Sequence, residues 1–192
     1  MRNYKNECEK IITTTESIDL NINGITLLST EEAIKLPINI RISEYPWWLR
    51  SPGEYDTYAA IVSVDGEDVF SDGISVDEEF GVRPALKISN LESCNLQIGD
   101  IIIMFNYTWT VISNNLILCD KIVGKCKFRE NWKAKDANNY EASDVKKWLE
   151  KWYIDQCHAN GSDDNEITLE LKPRTTYKGN PLGYASNGFV YC

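Results

Sequence analysis

Residue types able to do covalent or metal chemistry are sparse in this chain of 192 residues. There is one histidine, His158, and six cysteines, Cys8, Cys94, Cys119, Cys126, Cys157 and Cys192. A Ser-His-Asp or Cys-His set around His158 is open to spacing. His158, at the end of an apolar-striped helix, is expected to make a favourable contact with the helix dipole. Cys119, Cys126, Cys157 and His158 are zinc ligands by type, yet no C-x-x-C spacing supports a site. The acids between residues 65 and 79 lack the order of an EF-hand loop, and any glycosidase pair drawn from them would be arbitrary. No glycine-rich loop is present to cradle a phosphate. The expectation is therefore no catalytic residue, no metal and no cofactor, with a hydrolase the trailing alternative.

Acidity is the chemistry that the chain does carry. The formal net charge is −9, from 20 Lys and Arg against 29 Asp and Glu. Between Ser51 and Val82 there is no base, but there are Glu54, Asp56, Asp65, Glu67, Asp68, Asp72, Asp77, Glu78 and Glu79. This window carries the whole excess. From Lys121 to Lys151 the balance turns basic. Segregated charge sets long-range fields and partner choice rather than fold. One reading is a solvated face that aids solubility; the other is a docking surface for something basic. Direct contact with a nucleic-acid backbone is not expected, since phosphates would be repelled.

The elements that must position these residues read as short strands with two helices. At 43% hydrophobic and 11% aromatic residues the chain can bury a core. Gly24 opens a strand, Ile25–Leu28, and Ser29 with Glu32 forms a capping box for a helix stopped by Pro37. Trp47-Trp48-Leu49-Arg50 is a strand running into the turn Ser51-Pro52-Gly53. Tyr58–Val64, Glu67–Ser71, Ile74–Val76 and Gly81–Ile88 follow, with turns expected at Asp65-Gly66 and Asp72-Gly73 and a bulge at Pro84. Ile101–Phe105, Thr108–Ile112 and Leu116–Ile122 form a meander turning at Asn106-Tyr107 and Asn114-Asn115. A basic loop with Lys125, Lys127 and Arg129 leads to a helix from Asp144 to Gln156, capped by Ser143. Its Val145, Trp148, Leu149, Trp152 and Tyr153 make one apolar stripe. Ile167–Lys172 and Gly188–Cys192 close the chain as strands. No apolar run approaches the roughly 18 residues that span a bilayer, and Glu7 and Glu9 interrupt any signal peptide. A cytoplasmic protein with reduced thiols and no membrane contact is expected.

The string WWLRSPG at Trp47–Gly53, followed by GVRPAL at Gly81–Leu86, resembles a family of bacterial and prophage proteins common in gut Firmicutes. ITLLSTEE, LQIGDIIIMFNYTWTVI and SDVKKWLEKWY are similar to further family segments. The resemblance implies a C-type-lectin-like α+β fold related to formylglycine-generating-enzyme domains and to the variable proteins of diversity-generating retroelements. In many relatives the meander and helix precede WWLRSPG, so the order here suggests permutation. The implied organisation is an N-terminal segment, 1–23, a lectin-like domain, 24–157, and a β-rich extension, 158–192. No cysteine lies between Trp47 and Leu86, so the oxygen-dependent activity of related enzymes is not implied.

Trp47 and Trp48 point to opposite faces of their strand and each needs its own cover. Arg50 and Arg83 bracket the acidic window, to pair with its carboxylates or to fix carbonyls at strand ends. These four residues read as scaffold. The resemblance makes the segment between the strings ligand-facing, and there Glu54, Tyr55, Asp56, Tyr58, Glu67, Asp68, Asp72, Asp77, Glu78 and Glu79 are the binding candidates. The expected function is non-catalytic recognition of a protein with a basic surface, or of a glycan. The alternative is an acidic, anti-CRISPR-like phage inhibitor that blocks the basic channel of a host nuclease.

Overall fold

The computed structural model describes residues 18–160 and 166–171. The fold is α+β, as expected, with mostly antiparallel strands in two sheets. In chain order the elements are β1 (Ile18–Thr26), α1 (Thr30–Ile34), α2 (Ile38–Arg41), β2 (Trp47–Pro52), β3 (Tyr58–Val62), β4 (Val69–Ser75), β5 (Glu79–Val82) and β6 (Ala85–Ile88). Then come β7 (Ile101–Met104), β8 (Tyr107–Ser113), β9 (Leu116–Cys119), β10 (Gly124–Lys127), a 3-10 turn at Tyr140–Ala142, α3 (Asp144–Ala159) and β11 (Glu166–Leu171).

One sheet closes into an antiparallel barrel in the order β1-β11-β7-β8-β9-β6. β1 is shared along its length: Ile18–Asn21 pairs with β11, and Ile22–Thr26 pairs with β6 past an irregularity near Gly24. Leu20, Ile22, Leu86, Ile102, Trp109, Val111 and Ile117 fill the core of this barrel. The second sheet has the order β10-β5-β2-β3-β4, with β2 parallel to β5 through the pair Trp47↔Gly81. The two strings WWLRSP and GVRPAL are therefore neighbours in space.

Alternation on β2 and β3 separates the two faces of this sheet. Trp48, Ala59 and Ile61 join Val82 and Phe128 under Val145 and Leu149 of α3. Trp47, Leu49, Ala60 and Val62 join Ala33, Leu36 and Ile40 beside Leu116 and Leu118 of the barrel. Both indoles are fully buried, and each N–H donates to a carbonyl: Trp47 Nε1 to Arg41 O at 3.1 Å and Trp48 Nε1 to Cys126 O at 2.9 Å.

Ser29 and Glu32 form the capping box, and Ser143 caps α3, as their spacing predicts. The stripe on α3 faces inward, with Trp152 edge-on to Phe105 and Tyr107. Several expectations need correction. α1 ends before Pro37, as expected, but more than two helices form, because Pro37 then serves as the N-cap of α2, where its missing N–H costs nothing. GVRPAL is not one strand: Arg83-Pro84 carries the chain from β5 in the second sheet to β6 in the barrel. Asp72-Gly73 is no turn but an irregularity inside β4. The basic loop contains β10, which pairs with β5. The β7–β8 turn falls at Phe105-Asn106, both with positive φ, one residue earlier than expected. β1 starts six residues before Gly24 and crosses the boundary placed at 23/24, α3 crosses the one at 157/158, and β11 sits inside the barrel. The expected strand Gly188–Cys192 and most of the N-terminal segment lie outside the described residues.

Arg83, only 2% exposed, stands where the two sheets meet. Nε donates to Cys119 O at 2.7 Å, the end of β9, and Nη1 to Ile40 O at 2.6 Å in the last turn of α2. Its guanidinium carbon lies 5.2 Å from the centroid of the Trp47 ring. The planar fork reaches both carbonyls at once, which a lysine ammonium cannot do. Arg83→Lys is expected to lose about 2–3 kcal/mol in urea unfolding followed by tryptophan fluorescence.

Candidate functional site

A short segment at the end of β2 builds the site. Arg50 turns back from that strand and holds α1. Its Nη2 donates to Glu32 Oε1 at 2.9 Å, Nη1 pairs with Glu32 Oε2, and Nη1 also donates to Leu27 O at 2.8 Å. Glu32 simultaneously accepts from the Ser29 N–H at 2.7 Å. Burial works to raise the Glu32 carboxyl, but the hydrogen bonds from Arg50 and Ser29 and the Arg50 charge outweigh it and hold it below its ordinary 4.5. Arg50 thus pairs outside the acidic window, and Arg83 binds carbonyls, so for neither is a window carboxylate the partner shown.

Next along the chain, Ser51 Oγ accepts from the Thr30 N–H at 3.0 Å. Gly53 then lets β2 and β4 touch: a Cβ there would lie 2.4 Å from Asp72 O and 2.8 Å from the Tyr58 Cβ. Glu54 N–H donates to Asp72 O at 2.8 Å, which brings those two acids together. The loop 54–57 ends on Tyr55 and Tyr58, whose rings meet edge-on at 5.2 Å. Tyr55 is 58% exposed.

A second segment crosses this loop. Asn138 donates from its backbone N–H to Asp56 O at 3.1 Å and from Nδ2 to Tyr55 O at 3.0 Å. Asn139 caps the following 3-10 turn by accepting from the Glu141 N–H. The Tyr140 hydroxyl accepts from the Leu27 N–H at 3.2 Å, tying the segment to the barrel edge. Between the two segments lies an open cleft of about 480 Å³ lined by Arg50, Ser51, Pro52, Asn138, Asn139, Tyr140 and Glu141. The asparagines and Glu141 carry little signal in the sequence. Their signal was the run Asn138-Asn139-Tyr140, which reads as loop beside the conspicuous lysines.

The acidic candidates do not form one face. Glu54, Asp56 and Asp72 gather near Tyr55, at the Tyr58↔Ser75 end of the β3–β4 hairpin. Asp77 and Glu78 lie in the following turn at the same end, and Glu79 opens β5 opposite Lys127 on β10. The Lys127 ammonium is raised by Glu130 first and then by Asp77 and Glu79. Glu67 and Asp68, with Asp65, occupy the opposite, Val62↔Val69 end. All these acids reach solvent, Asp77 less than the others. The basic stretch of the sequence thus partly folds back on the acidic window.

Among the described residues no group of three His, Cys, Asp or Glu is placed to hold a metal ion. His158 is exposed at the end of α3. Burial pushes the Cys119 thiol up to about 11 and the Cys126 thiol up to about 12, which suppresses thiolate at neutral pH. No described helix is long and apolar enough to cross a membrane.

A profile described as a domain of unknown function (DUF6273) matches residues 7–90. This stretch, under half of the chain, is similar to that uncharacterised domain family. It takes in β1 to β6, including both strings, but not β9 and β11, which pair with β6 and β1 to close the barrel. No curated protein and no solved structure matches the chain.

The Arg50–Glu32 pair makes stability depend on pH. Because the folded carboxyl is lowered, its stabilisation is complete above the ordinary carboxylate range and is lost as pH falls through the folded value. Glu32→Gln should cost about 1–2 kcal/mol at neutral pH. In urea titrations the gap to the wild type should narrow as pH falls below the ordinary carboxylate range. A gap that does not change with pH would show that the loss does not come from the ionised carboxylate.

Proposed function

We propose that the protein is a non-catalytic binding module of the C-type-lectin-like kind, as the paired strings suggest. Its ligand end is the loop 54–57 together with the cleft beside it. The observation that carries this reading is the cross-bonding of Asn138 to Tyr55 and Asp56. It fixes the exposed Tyr55, edge-on to the half-buried Tyr58, next to a concave, amide-lined surface before any ligand arrives. Fixed loops lose little entropy on binding, and an exposed Tyr offers contact area at low conformational cost. Asparagine amides, Ser51 and Glu141 suit a hydroxyl-rich ligand, so within the protein-or-glycan class a glycan fits the cleft better. The raised thiols and the exposed, helix-terminal His158 support a role without covalent catalysis. Hydrogen bonds to a neutral glycan involve no ion pair with the ligand and should vary little with salt. On an immobilised glycan array, Tyr55→Ala should weaken retention by about tenfold. Retention that ignores this change, or no retained glycan at all, would sink the proposal.

The acidic-inhibitor reading keeps one supporting observation. Glu54, Asp56, Asp72, Glu78 and Glu79 are exposed at one end of the hairpin without an ion pair among the described residues. An inhibitor working this way should lose a basic nuclease steeply with salt, and neutralising Asp77, Glu78 and Glu79 together should relieve inhibition. Inhibition that survives those three changes removes its physical basis.

A further inference from the structure

At the other end of the β3–β4 hairpin, roughly 14 Å from Tyr58 along β3, the surface changes character. Ile34 is 58% exposed, Ile38 47%, Ile42 50% and Val64 46%. Ile38 and Ile42 bracket α2 one turn apart. The hairpin tip lies directly on that helix: Ser43 N–H donates to Val64 O at 3.1 Å, and a Cβ on Gly66 would lie 2.7 Å from Ile42 N and 2.8 Å from Ile38 O. Ile38, Ile42 and Val64 are thus carried on adjoining backbone, with Ile34 on the preceding helix. Half-exposed aliphatic side chains gathered this way leave apolar area in water that a partner would remove.

The rim of this face is acidic. Asp65, Glu67 and Asp68 are exposed on the tip, and Glu31 and Glu44 are exposed on the flanking segments. None of the five has an ion pair among the described residues. Lys35 and Arg41 are the bases close in sequence. The tip is also fixed in shape. The Asp65 carboxylate accepts from Ser63 Oγ at 2.5 Å and from the Glu67 N–H at 3.1 Å, while the Asp68 N–H donates to Ser63 Oγ at 3.0 Å.

We infer that this α1–α2–hairpin face docks a basic, amphipathic segment of a protein partner. The partner's aliphatic side chains cover Ile38, Ile42 and Val64, and its Lys or Arg residues meet the acidic rim. The charge argues against the other large classes of partner, because nucleic-acid phosphates and anionic lipid surfaces are repelled by such a rim. The surface is separate from the cleft at Tyr55, so it adds a second contact and does not depend on the ligand assigned there.

The test uses the full chain and two fluorescein-labelled peptides read by anisotropy. One carries Leu and Lys at helical spacing; the other has the same lysines with Ser in place of Leu. The amphipathic peptide should bind with a Kd of about 1–100 µM, and the Ser peptide at least about tenfold more weakly. Ile38→Ser with Ile42→Ser should weaken the amphipathic peptide by about tenfold. A second variant, Asp65→Asn with Glu67→Gln and Asp68→Asn, should weaken it at about 50 mM salt and much less at about 300 mM. These residues are exposed, and an unchanged urea midpoint confirms folding of both variants. Tyr55→Ala should leave this binding intact, which separates it from failure of the glycan reading. Three results would overturn the inference: no binding by the amphipathic peptide, equal binding by both peptides, or binding indifferent to both variants. A concentration-dependent dimer in sedimentation that Ile38→Ser with Ile42→Ser dissolves would also overturn it, by giving the face to a second copy.

Discussion

A buried guanidinium joins the two halves of this protein. Arg83 follows the last residue of β5 and precedes the proline that opens the way to β6, so it lies where the chain leaves one sheet for the other. A cation almost without solvent needs several acceptors in fixed positions, or its desolvation is unrecovered. Ile40 O and Cys119 O supply two of them, from a helix end and from a barrel strand, and Trp47 supplies the face of its ring. The helix end is well suited to the task, because its last carbonyls lack partners within the helix and carry the negative end of its dipole. One residue thereby sets the distance between α2, β2 and β9.

The same economy operates at Arg50, one strand position beyond the buried Trp47-Trp48-Leu49. It is partly buried and pairs with a carboxylate that is equally so. By gripping Glu32 and Leu27 O it fixes α1 against the end of β2, and so sets one wall of the cleft. The opposite wall hangs from Tyr140, whose hydroxyl is bonded to the Leu27 N–H. Both walls therefore refer to one short stretch of backbone at Leu27. The loop carrying Tyr55 is pinned between them by Asn138. The site is assembled from three segments distant in sequence, tied to one another and to Leu27 by hydrogen bonds.

Charge has a related but looser role. In sequence, the acids of residues 54–79 look like a single negative block. The β3–β4 hairpin divides them between its ends, and β10 brings Lys127 beside Glu79. What remains is one acidic rim around the aromatic loop and another around the apolar face at α2. The two differ in what they surround, and this difference gives each surface its own chemistry.

Much of the local structure was legible in the residues. The capping box at Ser29 and Glu32, the Ser143 cap and the apolar stripe of α3 follow from spacings within one or two helical turns, where backbone and side chain interact directly. The alternating burial of Trp47 and Trp48 follows from strand geometry alone. The closed barrel did not follow, because β1 must pair with β6 and β11, partners far along the chain whose choice depends on which edges remain open. GVRPAL reads as one strand since nothing local shows that Arg83 will find its acceptors in α2 and β9 and turn the chain between sheets. The cleft was hidden for the same reason: Asn138 acquires its meaning only when Tyr55 and Asp56 are brought beneath it. Sequence alone determined the helix caps, the faces of the strands and the size of the negative charge. Tertiary structure decided which carbonyls Arg83 would hold, and with them where the acids, the aromatic loop and the apolar face would lie.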